Sequence, residues 1–354
     1  MRAWTLPLLL CVSAACGGDA APPAAASRLF VADERAGTVS VFDEGTWSAV
    51  TAIDLTEQRD GVAVRYRPHN VQVSPDGRTV WATAASAAFY TAGFAGEDDE
   101  QVIVLDAARL TVLARVRLTG LLAHVVFDEA GRRAYVTATN ADEVVELDAA
   151  TREVTRRFRV GLRRGPHGAR VCGATLFVAC SVGRSVAMID LATGAVTEVR
   201  LDGAPIQVAC ARDGRTAYTA LQDQRVVVRV DVATGEVSRL ALPDAARGPA
   251  QVYLSPDGAR LWVADQGLLT TTSRLGNRVY EVEVGPWRLG RSAEVGRGAH
   301  GVVTSRDGAR VYVTGTIENN VAVLDAATLQ PVASVPVGLG PNGISLRDAR
   351  GGMP

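Results

Sequence analysis

A unit of roughly forty to fifty residues recurs along this chain, and such a period leaves room only for folds built by repetition. Its clearest copy runs from Gly298 to Gly338, GAHGVVTSRDGARVYVTGTIENNVAVLDAATLQPVASVPVG. Companions begin near Pro68, Ala123, Pro166, Pro205 and Pro249. Each opens on a short apolar strand and a turn of the type Ser-Pro-Asp-Gly. A second strand, a polar loop, a third strand closing on Asp, a Thr-containing turn and a last strand follow. Gly reaches positive φ freely and Asp bonds its own backbone two residues on, so the Asp-Gly step sets the first turn of the unit. The Asp-x-x-Thr steps at Asp148, Asp190, Asp231 and Asp325 do the same for the last hairpin. No stretch keeps a helical period.

Four strands per unit at this spacing predict the blades of a β-propeller, an all-β fold. The chain ends fix the count. Residues 28–55 match only the second, third and fourth strands of a unit, and the missing first strand stands at the other end, from Pro341. Six whole units and one shared between the ends predict seven four-stranded antiparallel blades. The ring closes when the C-terminal strand pairs with the N-terminal blade, which leaves no open sheet edge. The propeller is expected to span residues 28–348, with a tail at 349–354.

Ahead of it, residues 1–16 read as an export signal, with Arg2 followed by an apolar run too short to anchor in a bilayer. Ser13-Ala14-Ala15-Cys16 resembles the lipobox of bacterial lipoproteins, with Cys16 as the lipidated residue, although Ser13 replaces the usual aliphatic residue. Residues 17–27 form a Gly/Ala/Pro tether. The expected location is therefore the periplasm or the outer membrane, with lipid as the only membrane attachment. Of the remaining cysteines, Cys172, Cys180 and Cys210 lie in apolar strand contexts and read by default as buried free thiols. An exported compartment nonetheless permits a disulfide, which would leave one thiol over.

Composition removes several chemistries. The 37 basic residues nearly balance the 38 acidic ones, without a basic block, so there is no electrostatic footprint for nucleic acid. All of the basic residues are Arg. Without Lys there is no Schiff-base nucleophile and no P-loop. HExxH, GxSxG and CxxCH are absent. Gly338–Gly343 fits GxGxxG but contains Pro341 and leads into a strand, so it is not a dinucleotide site.

The motifs AYVTATN at Ala134–Asn140 and VYVTGTIENN at Val311–Asn320 resemble those of the YVTN-repeat seven-bladed propellers, and the likeness covers residues 28–348. That family includes surface-layer proteins, the haem-binding propeller of dissimilatory nitrite reductases and propeller lactonases. The resemblance thus implies a scaffold and leaves the activity open.

Histidine placement is the strongest local signal. The chain has 4 His, and each stands at the start of a first strand: His69, His124, His167 and His300. Counted back from the Asp-Gly turn, His69, His167 and His300 share one register, and His124 falls one residue later. They are therefore ranked as first-choice ligands with His124 fourth. Gln207, Gln251 and Asn342 occupy the equivalent seats of other blades. First strands line a propeller's channel, so these residues are expected to ring one mouth of it. Imidazoles with Gln and Asn neighbours suit zinc, copper or a tetrapyrrole; the plainer reading is a hydrated polar rim. Arg67, Arg163, Arg164, Arg247 and Arg297, in the connections leading to those strands, are candidates for holding carboxylates. Two long segments on the same face, Ala84–Gln101 and Asp265–Arg278, read as loops, the first tipped by a solvated acidic run at Glu97–Glu100.

The leading functional reading is an exported binding or protein-interaction scaffold working through this mouth and its loops, with an unnamed protein or small molecule as partner. The alternative is an oxidoreductase or lactonase that uses a metal or haem-type cofactor at the His ring.

Overall fold

The computed structural model describes residues 27–87, 99–267 and 275–346. The expected export signal, the tail and all of the tether except Ser27 lie outside the described residues.

Seven four-stranded antiparallel sheets stand around one axis. Blade 1 combines Pro341–Leu346 with Arg28–Asp33, Thr38–Asp43 and Ala49–Asp54. Its closing register pairs Leu29 with Leu346 and Val31 with Ile344. The innermost strands of blades 2 to 7 are Tyr66–Val73, Leu122–Phe127, Pro166–Cys172, Pro205–Cys210, Pro249–Leu254 and Ala299–Thr304. Each inner strand neighbours the next around the ring. An additional hairpin, Glu57–Arg59 with Val62–Val64, fills the connection from blade 1 to blade 2.

The turns form as their residues dictate. Asp76 Oδ1 accepts from Ser74 Oγ at 2.6 Å and from Arg78 N at 2.9 Å, with Gly77 at φ 71°. Asp231 Oδ1 accepts from both the main chain and the hydroxyl of Thr234, and Gly235 follows at φ 73°. Packing is graded outward. The first three strands of a blade are almost wholly buried, as sheets covered on both faces require. In blades 1, 3 and 7 the outermost strand sends in a single deeply buried apolar anchor, Ile53, Phe158 and Val335.

Two sequence expectations are corrected. Cys172 and Cys210 are not free thiols: they form a disulfide that joins the inner strands of blades 4 and 5, leaving Cys180 as the buried free cysteine. Strand periodicity places such residues in a strand but does not say which of them meet across neighbouring blades. The long segments also contain more strand than their composition suggests, because Ala84 and Ala85 pair with Gln101 and Glu100, and Asp265 with Arg278. Phe89, Tyr90, Phe94, Glu97 and Asp98 lie outside the described residues. Asp99 and Glu100 are not a solvated tip. Asp99 holds Arg59 at 2.8 Å and Tyr66 at 2.7 Å, and buried Glu100 accepts from the main-chain N–H groups of Leu121 and Leu122 at 2.7 Å each.

Candidate functional site

Every inner strand carries one extra residue at its start relative to its partner. In blade 4, Pro166 to Ala169 spans three steps while Cys180 to Val178 spans two, and the same slip appears in the other six blades. A β-bulge re-aims side chains that a regular pleat would direct at a neighbouring blade. Here it falls on the seats holding His69, His124, His167, His300, Gln207 and Asn342.

Threonines pin these bulges. Thr137 Oγ1 accepts from the N–H of His124 at 2.9 Å in its own blade and donates to the carbonyl of His167 at 2.6 Å in the next. Thr83 links Asn70 to Ala123 in the same manner, and Thr314 links Gly301 to Asn342. The Thr of the Tyr-Val-Thr motif is therefore an interblade rivet. Gly168 serves the same closeness, since a Cβ there would stand 2.6 Å from the Ile206 carbonyl oxygen.

One potential donor atom from each of His69, His124 and His167 lies within 4.8 Å of the others. Ring centroids are 5.3 Å apart for His69 and His167, and 5.1 Å apart for His124 and His167. This group includes His124 and leaves out His300, whose ring centroid is 6.4 Å from that of His69. Register alone ranks the two the other way round. His124 is one residue later than its neighbours, and the bulge carries that extra residue inward.

Burial is the main reason that the imidazoles of His124, His167 and His300 are pulled below their ordinary pKa, His300 to about 3. Neighbouring rings push the same way, so these side chains are neutral and keep a lone pair at pH 7. For His167 the position of the proton follows from its partner: the Ile206 carbonyl, 3.1 Å from Nδ1, can only accept, which leaves the lone pair on Nε2. Nδ1 of His69 faces Glu34 Oε1 at 3.4 Å and Asn342 Nδ2 at 3.2 Å, while its Nε2 is buried without a partner. Asn342 in turn donates to Glu34 at 2.9 Å. A carboxylate behind one ring nitrogen and an unpartnered nitrogen in front is the usual outer support of a metal-ligating imidazole.

The fit to an ion is geometrically close. A tetrahedral zinc with bonds of about 2.0–2.1 Å sets its donors roughly 3.3 Å apart, so small side-chain rotations gather the three nitrogens. The adjoining void among the described residues has room for about one water molecule. That size suits an ion better than the face of a macrocycle.

The candidate arginines separate by partner. Arg164 pairs with Glu198 at 2.8 Å and Arg297 with Glu318 at 2.5 Å. Arg163 and Arg247 give their main-chain N–H groups to Asp142 and Asp265, and their side chains are exposed. Arg67 lies within the first strand of blade 2 rather than in a connection. Gln207 Nε2 comes within 3.5 Å of His124 Nδ1, whereas Gln251 Nε2 is buried without a partner. Sequence reasoning missed Glu34. Its signal was available in the aligned repeats, where Ala85, Thr139, Ser181, Gln222, Gln266 and Thr316 hold the same position and none is charged.

No family model and no curated protein matches the chain. Solved structures do. Hydrazine synthase of Kuenenia stuttgartiensis is 20% identical, covering 79% of this chain and 92% of its own, at a TM-score of 0.65. Virginiamycin B lyase from Staphylococcus aureus is 14% identical over 79% of this chain and 90% of its own, at 0.64. A functionally unknown protein from Desulfotomaculum acetoxidans is 13% identical over 91% and 99%, at 0.71. Identities this low carry the fold and nothing about chemistry, and on the fold they agree with the seven sheets around one axis: this chain is a β-propeller.

Proposed function

We propose that this protein is an exported propeller that binds a transition-metal ion at one mouth of its channel, zinc or copper fitting the all-imidazole donor set. The observation that carries the reading is the convergence of His69, His124 and His167, from three successive blades, with donor atoms within 4.8 Å of one another. The kinship with YVTN-repeat propellers belongs to this proposal and rests on the motifs at Ala134–Asn140 and Val311–Asn320. Metal content measured after purification without chelator, followed by zinc and copper titration, tests it. One ion per chain is expected, and His69→Ala, His124→Ala and His167→Ala should each weaken binding at least tenfold. A wild-type protein that takes up neither metal at micromolar concentration returns these residues to a hydrated rim.

The interaction-scaffold reading draws on a different observation. Val62, Leu162, Val182 and Leu339 are the large apolar side chains more than half exposed among the described residues, and all four stand in connections on the mouth side. A partner seated there would cover them together with the ion site.

Export and lipid anchoring are part of the same proposal. The Cys172–Cys210 disulfide supports an oxidising compartment. Anchoring rests on Cys16 and the apolar run before it. Cys16→Ala should move the protein from the membrane pellet to the soluble fraction, since acylation would supply the strong attachment. Wild-type protein found already in the soluble fraction would end the anchoring part alone.

A further inference from the structure

We infer that an exchangeable water molecule, held by Gln251 and His300, completes the metal centre; this rests on the metal reading above. Three imidazoles leave one position of a tetrahedral ion unfilled, and a site with an open position exchanges ligands while a closed one does not. The void adjoining the cluster is bounded by His69, Asn70, His124, Gln207, Gln251 and His300, and it takes about one water.

Besides His69 Nε2, which this reading assigns to the ion, two polar atoms of that boundary have no partner. Gln251 Nε2 and His300 Nδ1 are both buried, each on a residue only 5% exposed. Native proteins rarely leave such atoms unsatisfied, so the pair points to a molecule between them. Their chemistry specifies which kind. The amide nitrogen only donates. The main chain of Asn342 raises the basicity of the His300 ring as a hydrogen-bond acceptor does, and because Nδ1 has no partner that contact belongs to Nε2, which places the proton there and the lone pair on Nδ1. The molecule must therefore accept from Gln251 and donate to His300 while turning a second lone pair to the ion. Water meets all three demands. A simple halide or azide meets two and faces the His300 lone pair.

His300 is thus a positioning residue for the ion's solvent ligand and not a fourth protein ligand, which agrees with its place outside the three-donor group. The test uses the full-length protein loaded with Cu(II) and reads the relaxation rate of solvent protons, which a directly bound, exchanging water enhances. Pulsed electron paramagnetic resonance counts the bound imidazoles in the same samples. Wild type should show strong enhancement and three imidazoles. Gln251→Leu and His300→Leu should each bind copper within about tenfold of wild type, keep three imidazoles and lose at least half of the enhancement, whereas Gln251→Asn should lose less. Four imidazoles in wild type falling to three in His300→Leu, or enhancement that is absent in wild type or unchanged in both leucine variants, overturns the inference and leaves the metal site standing. Failure of wild type to bind copper or zinc removes both.

Discussion

At the scale of single residues, the ring holds one carboxyl in an unfavourable place. Asp33 is fully buried at the end of a strand in blade 1; Oδ2 accepts from Ser40 at 2.6 Å and from Thr38 at 2.9 Å, while Oδ1 has no partner. Burial outweighs those hydrogen bonds and pushes its pKa up to about 6 from 3.8. The folded state therefore holds the proton more tightly than the unfolded chain does. Below pH 4 both states are protonated and nothing is lost. As pH rises from about 4 to 6 the folded state forfeits up to about 3 kcal/mol, and the loss stays constant above that. Asp33→Asn should accordingly raise the melting temperature at pH 7.5 and leave it unchanged at pH 3.5. An equal shift at both values would show that titration of Asp33 is not the cause.

Between elements, the Cys172–Cys210 bridge ties two neighbouring inner strands whose cysteines are 38 residues apart in sequence. A loop of that length restricts the unfolded chain by about 4 kcal/mol in the chain-entropy account. Cys172→Ser/Cys210→Ser should lose stability of that order in denaturant titration, and reductant should reproduce the loss in wild type. A change below about 1 kcal/mol would mean that the bridge adds little to packing already made. The same pair marks the limit of what can be read from sequence. Strand identity, turn type and blade number were legible because Asp-Gly, Asp-x-x-Thr and alternating Val are local signals. Contacts between blades were not, because repeats align in sequence without revealing how far each strand slides past the next. His124 illustrates this: its sequence offset ranks it fourth, whereas the bulge brings it into the group with His69 and His167. The candidate site was legible as a ring of seats, while its membership and the Glu34 carboxylate behind His69 required the third dimension. Thr137 and Thr314 were visible only as part of a motif, and their role as rivets depends on the blade beside them.

For the whole molecule, the ring is only as closed as its shared blade. Deleting Pro341–Pro354 removes the innermost strand of blade 1 and uncovers the inner edge of Arg28–Asp33. Unpaired edges recruit other chains. The truncated protein should therefore aggregate on expression or lose cooperative thermal unfolding, and unchanged melting of a monomer would overturn the account of closure. This arrangement also has a consequence in time. Leu29 waits for Leu346, which the ribosome adds more than 300 residues later. At a synthesis rate of roughly 5–20 residues per second, blade 1 remains a three-stranded fragment for about 15–60 s. Through that interval the growing chain has a start but no finished first module, and its last few residues decide whether the rest becomes a ring.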